Sequence, residues 1–163
     1  MNTLNKTNTC FFTGHRIIAN ESRPALRDRV KKLCIELIKH HNVTDFITGG
    51  ALGFDTLAAL VVLDLKNEYP HIKLHVYYPC TNQSEKWKVY DKKIWESIKL
   101  MADDYKYISD MPYVTGCMQL RNKAMVNDSE YCIAYCNRNF GGTYSTVKYA
   151  KEKNRKITVI SDI

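Results

Sequence analysis

Long apolar runs, a CxxC cysteine pair and the common glycine fingerprints are all missing from this chain, and each absence closes a class of function. None of its 163 residues belongs to an uninterrupted hydrophobic stretch approaching the ~20 residues that a membrane-spanning helix needs, so no membrane partner is expected. The opening MNTLNKTNT has no apolar signal core, which gives the expectation of a cytoplasmic protein with a flexible stretch over residues 1–8. Six cysteines are present, Cys10, Cys34, Cys80, Cys117, Cys132 and Cys136. Without a CxxC spacing they read as buried free thiols and not as a disulfide framework or metal site. The pattern GxxxxGK[ST] does not occur. GxGxxG fails as well, because the first turn reads Gly49, Gly50, Ala51, Leu52, Gly53, Phe54, and ordinary ATP hydrolysis and a standard Rossmann dehydrogenase both lose support. No GxSxG elbow appears, which disfavours a covalent hydrolase.

The chain does have the size and composition for one domain over residues 1–163, with 45% hydrophobic residues. Its 24 basic and 17 acidic side chains give a net charge of +7, spread along the sequence instead of gathered in an arm. A solvated basic surface, a nucleic-acid face and a phosphate-bearing small ligand are all compatible with that charge.

Apolar runs and helical stripes alternate. TCFF at Thr9 to Phe12 reads as a strand, followed by a helix from Ser22 and Pro24 carrying Leu26, Val30, Leu33, Leu37 and Ile38. Phe46 and Ile47 form a second strand ahead of a helix with Leu57, Leu60, Val61 and Leu65. A third strand from Ile72 stops at Pro79, and a helix from Ser84 places Trp87, Ile94, Trp95, Ile98 and Met101 on one face. A weaker strand covers Tyr105 to Ile108. Thr115 is a candidate cap for a helix through Met118, Leu120, Met125 and Val126, with its basic residues on another face. Tyr131 to Cys136, a helix over Tyr144 to Lys153 and a strand at Ile157 to Ile160 complete the series. The alternation predicts a three-layer, Rossmann-like α/β domain with a mostly parallel sheet.

Ligands of such sheets collect beyond the carboxyl ends of the strands. That rule gathers Thr13 to Arg16, Thr48 to Asp55, Pro79 to Gln83 and Gly141 to Ser145. Two glycine-marked turns lead into helices there, TGGALGFDTLA and NFGGTYSTVKYA, a geometry that turns backbone N–H groups toward an anion. Gly14, Gly49, Gly50, Gly53, Gly141 and Gly142 allow close backbone approach or serve only a tight turn. Thr48, Thr143 and Ser145 offer hydroxyls. His15, Arg16 and Arg121, with Asn122 beside it, are candidates for phosphate contact, since guanidinium grips two oxygens at once. Asp55 falls in the first turn of a helix, where the dipole lowers carboxylate basicity, so it is read as a ribose-hydroxyl acceptor ahead of a general base.

FTGHR at Phe12 to Arg16, GGALGFDTLAA at Gly49 to Ala59, RNKAMVNDSE at Arg121 to Glu130 and FGGTYSTVKYA at Phe140 to Ala150 together resemble the YpsA-like proteins of the SLOG superfamily, the Rossmann-like group that includes DprA/Smf and the LOG proteins. The resemblance implies a nucleotide-derived ligand such as ADP-ribose and leaves the activity open between sensing and hydrolysis or transfer at an N-glycosidic bond; beyond that ligand the residues identify no certain cofactor. MQLRNKAM at Met118 to Met125 is similar to the LOG segment with the catalytic arginine. The acidic residue that LOG enzymes carry after their second glycine turn is replaced here, with Val147 and Lys148 in its neighbourhood, which speaks against their reaction. Kinship with DprA implies single-stranded DNA as an alternative partner, placed below a small ligand. Assembly into homo-oligomers is also implied, with Trp87, Trp95 and Tyr113 as interface candidates.

Overall fold

Six short runs of β-branched and aromatic residues lie side by side as strands, the first five each followed by a helical segment long enough to cross back over the sheet. The computed structural model describes residues 4–163; residues 1–3 of the expected flexible stretch lie outside the described residues, and Lys6–Asn8 forms a 3-10 turn capped by the Asn5 side chain. The elements run β1 (Thr9–Gly14), α1 (Arg23–His40), β2 (Asp45–Thr48), α2 (Phe54–Leu65), β3 (Lys73–Tyr78), α3 (Val89–Met101), β4 (Asp104–Tyr107), α4 (Cys117–Asn127), β5 (Tyr131–Tyr135), α5 (Gly142–Glu152) and β6 (Lys156–Ile160). All strand pairs are parallel, in the order β4-β3-β2-β1-β5-β6. The domain is therefore a Rossmann-like α/β sandwich.

Strand alternation sorts the core into two layers. Phe12 and Phe46 face α1, α2 and α3, where they meet Leu26, Val30, Leu57, Val61 and Ile98. Phe11 and Ile47 face α4 and α5 and pack on Met125, Val126, Val147 and Ala150. Each fully buried side chain of this size is worth about 1.5–3 kcal/mol of transfer free energy, which pins the strand register. A buried polar link, His75 Nε2 to Asp45 Oδ1 at 2.7 Å, ties β3 to β2. No helix among the described residues is long and apolar enough to cross a membrane, and all six cysteines are buried.

Three local expectations are corrected. The helix expected from Ser84 begins at Val89, so Trp87 lies in the preceding turns. Side chains in that segment satisfy backbone elsewhere instead of winding a helix: Asn82 Oδ1 accepts the Tyr113 N–H at 2.8 Å and Gln83 reaches the Gly49 carbonyl. Ser22 stands at the N-cap of α1 without a side-chain capping bond, because it already has helical dihedrals at the end of a 3-10 turn. Thr115 yields the N-cap of α4 to Gly116, whose φ of 90° starts the helix.

Candidate functional site

From β1 the chain steps outward through β2, β3 and β4, then returns to lay β5 against the other side of β1. The loops leaving β1 and β5 therefore diverge, opening a crevice beyond their carboxyl ends. Its volume is about 870 Å³, within the range of small-ligand sites. Gly14, His15 and Arg16 enter it from β1, Asp55 from α2, Arg121 and Asn122 from α4, and Gly142 and Thr143 from α5. Gly141 and Ser145 line an adjoining cavity between α4 and α5.

Thr48, Gly49, Gly50 and Gly53 do not line the crevice; Thr48, Gly49 and Gly53 pack against residues that do. The Thr48 hydroxyl donates to the Asp55 carbonyl at 3.0 Å. Gly50 backs onto Tyr78. Gly49 presents its carbonyl to Arg121 Nη1 and is glycine because a Cβ there would run into that guanidinium and into Asp55 Oδ2. Gly53, at φ 78°, lies flat against the His15 and Arg16 carbonyls, and the Phe54 N–H donates to the His15 carbonyl at 3.0 Å. Of Pro79 to Gln83, none lines the crevice.

Arg121 departs most from its expected place. The stripe of α4 that turns inward is Cys117, Arg121 and Met125, while Leu120, expected inside, is 58% exposed. A cation can occupy that stripe because backbone acceptors meet it: besides Gly49, the Tyr77 carbonyl lies 3.4 Å from Nη1, and Nε donates to Asn122 Oδ1 at 2.8 Å. Only 5% of the residue is exposed, and among the described residues no carboxylate lies in ion-pair contact with it. Burial pushes its pKa down, the Asp55 charge pulls it back, and the guanidinium stays a cation at neutral pH.

Asp55 is 6% exposed and receives the Ala51 N–H on Oδ2 at 3.2 Å. The helix terminus was expected to depress its pKa. Burial instead raises it, outweighing Arg121, the Ala51 and Gly49 amides and Arg16. Burial and the Arg138 charge push His15 below its ordinary value, and its Nε2 accepts the Asn137 N–H at 3.1 Å. Its Nδ1 is buried without a hydrogen-bond partner among the described residues.

Sequence reasoning missed Asn137 and Arg138, which enter the crevice from the β5 exit, and Tyr113, Met118 and Tyr135 from its walls. Arg138 stands three residues past β5, immediately before the second glycine turn, and extending the strand-exit rule by those residues would have found it. With Arg16, Arg121 and Arg138 against Asp55 alone, the crevice is cationic. α5 brings no carboxylate to the crevice: its first turn has no acidic residue, Val147 is buried in the core, and Glu152 stands at the far end of the helix. No cluster of three His, Cys, Asp or Glu residues suited to a metal occurs among the described residues.

Comparison with known proteins agrees with this architecture. The YpsA model, described as the YspA SLOG family, matches residues 14–162. An uncharacterized SPbeta prophage-derived protein, YoqJ of Bacillus subtilis, is 33% identical over 145 residues, covering 82% of this chain and 84% of that protein. A UPF0398 protein of Brevibacillus brevis is 35% identical over 141 residues, 83% of this chain and 74% of its own. Among solved structures, DNA processing protein A (DprA) of Streptococcus pneumoniae superposes with a TM-score of 0.72 at 15% identity, over 97% of this chain and 52% of its own. The chain thus spans about half of that protein. DprA of Helicobacter pylori, described as having a single-stranded DNA binding mode, gives a TM-score of 0.66 at 19% identity, over 97% of this chain and 67% of its own. At such identities the two DprA structures speak for the fold. Matched by the family model over residues 14–162, the chain belongs to the YspA SLOG family.

Proposed function

We propose that the crevice binds a nucleotide-derived small ligand, with ADP-ribose among the candidates. The observation that carries this reading is Arg121, a buried cation on the crevice wall with no carboxylate in ion-pair contact among the described residues, close to the buried carboxyl of Asp55. A buried charge is costly unless it is paired, and a phosphate completes the pairing that the protein leaves open. Arg16 and Arg138 add charge at the rim, and the N-terminus of α5 turns its first N–H groups toward the same space. Asp55, ionised or protonated, accepts hydrogen bonds from ribose hydroxyls.

The first test is titration calorimetry with AMP and ADP-ribose, with products assayed in the same samples. Saturable binding, weakened at least roughly tenfold by Arg121→Met, is the expected result, corresponding to about 1.4 kcal/mol. Binding unaffected by that change would place the ligand elsewhere. Single-stranded DNA is the second reading, supported by the DprA-like fold and the +7 charge. Preference for a short oligonucleotide over every mononucleotide, with steep salt dependence, would favour it.

A further inference from the structure

Asp55 serves two spaces. Besides the crevice it lines a narrow cavity of about 10 Å³, which it shares with Thr48, Thr56 and Tyr78 and which Trp95 and Ile98 wall from α3. That is room for a single water.

Tyr78 is wholly buried, and its hydroxyl has no hydrogen-bond partner among the described residues. Its ring cannot swing away to find one: Trp95 lies 4.9 Å and Tyr107 5.4 Å from it, centroid to centroid, and Gly50 backs onto it. Burial, with Tyr107 and Tyr105 adding to it, pushes the pKa of the phenol up, so the hydroxyl keeps its proton. A buried donor left in that state costs its full desolvation unless a water meets it.

The other groups around the cavity supply what such a water requires, since a buried water typically makes about three hydrogen bonds. Asp55, with the Ala51 N–H on Oδ2 at 3.2 Å, keeps lone pairs for a further donor. The hydroxyl protons of Thr48 and Thr56 are committed to the carbonyls of Asp55 and Ala51, at 3.0 and 2.9 Å, which leaves both oxygens able to accept. The Trp95 ring N–H is turned to Gln83 Oε1 at 3.4 Å and does not compete.

We propose, whichever ligand the crevice takes, that this cavity is a fixed hydration site in which one water accepts the Tyr78 O–H and donates to the Asp55 carboxylate and to a threonine hydroxyl. Tyr78 is thereby a positioning residue for the crevice although it does not line it. Through the water it steadies the charge of Asp55, which favours the ionised carboxylate more than burial alone allows.

The test compares wild type with Tyr78→Phe, which deletes the hydroxyl and keeps the ring. A high-resolution crystal structure of wild type should show density for one water within hydrogen-bond reach of both Tyr78 and Asp55. Urea denaturation at pH 7 should give Tyr78→Phe a folding constant roughly fivefold lower, the loss of about one hydrogen bond. Carbon-13 NMR should find the Asp55 carboxyl titrating at higher pH in the variant. A hydroxyl without a water predicts the opposite sign of stability change, because deleting it relieves its desolvation. Wild-type density lacking that water, a variant as stable as wild type or more so, or an unchanged Asp55 titration each overturns the proposal. Should Tyr78→Phe not fold, the wild-type density decides alone.

Discussion

Arg121 and Asp55 face the same space with opposite charges, yet neither neutralises the other in direct contact. Asp55 is the more informative, because its folded pKa lies above the ordinary value of 3.8 and burial is the main cause. A carboxyl raised in the folded state binds more protons there than in the unfolded chain, so stability falls as pH rises from the unfolded value through the folded one, then levels off. The neutral isostere removes this penalty and still accepts the Ala51 N–H. Asp55→Asn is therefore expected to be more stable than wild type at pH 7, with the difference closing as pH falls toward 3.8; urea denaturation at a series of pH values measures it. An Asn variant less stable at pH 7, with the gap closing as pH falls, would mean that Arg121 outweighs burial. Neither residue's environment was legible in sequence. An arginine on a helix is usually solvated, and the carbonyls of Gly49, just past β2, and of Tyr77 in β3 help make the inward position tolerable.

At the scale of elements, the first glycine turn works as a clamp. Gly53 joins α2 to the β1 exit so closely that a side chain would meet the carbonyls of Arg16 and His15, and its φ of 78° adds a conformational cost of about 1–3 kcal/mol for any other residue. Gly116 has a similar φ of 90° but open space around it. Gly53→Ala should thus lose clearly more stability than Gly116→Ala in parallel denaturation, and should also weaken ligand binding by displacing His15 and Arg16. Equal losses would leave only the backbone term and dissolve the clamp. The glycines of this turn were legible as special positions, since Gly49, Gly50 and Gly53 stand where a strand meets a helix. Their use was not: spacing cannot tell a glycine that admits a phosphate from one that admits a neighbouring arginine or loop. Helix existence was legible from apolar period, whereas the start of α3 was lost because Asn82 and Gln83 spend their hydrogen bonds on distant backbone.

Over the whole molecule, alternation of strands and helices was enough to place the crevice, because parallel crossovers put every strand exit on one edge of the sheet. Strand order was not readable, and with it went the knowledge that β5 adjoins β1 and brings Asn137 and Arg138 opposite His15. The net charge of +7 also acquires meaning only at this scale. Basic residues dispersed over the surface attract any polyanion weakly, while Arg121 is sheltered from salt by burial. A small ligand held mainly at the crevice should therefore stabilise the fold with modest sensitivity to ionic strength. At 100 times its Kd, a ligand specific for the folded state adds ~2.7 kcal/mol. For a domain of this size that corresponds to a rise in Tm of about 5–10 °C. Oligonucleotide binding across the outer surface would lose affinity with a log–log salt slope near −0.7 for each phosphate neutralised. Thermal melts with ADP-ribose and with a short single strand, each at low and high KCl, separate the two: a shift that persists in salt belongs to the crevice, and one that vanishes belongs to the dispersed surface charge.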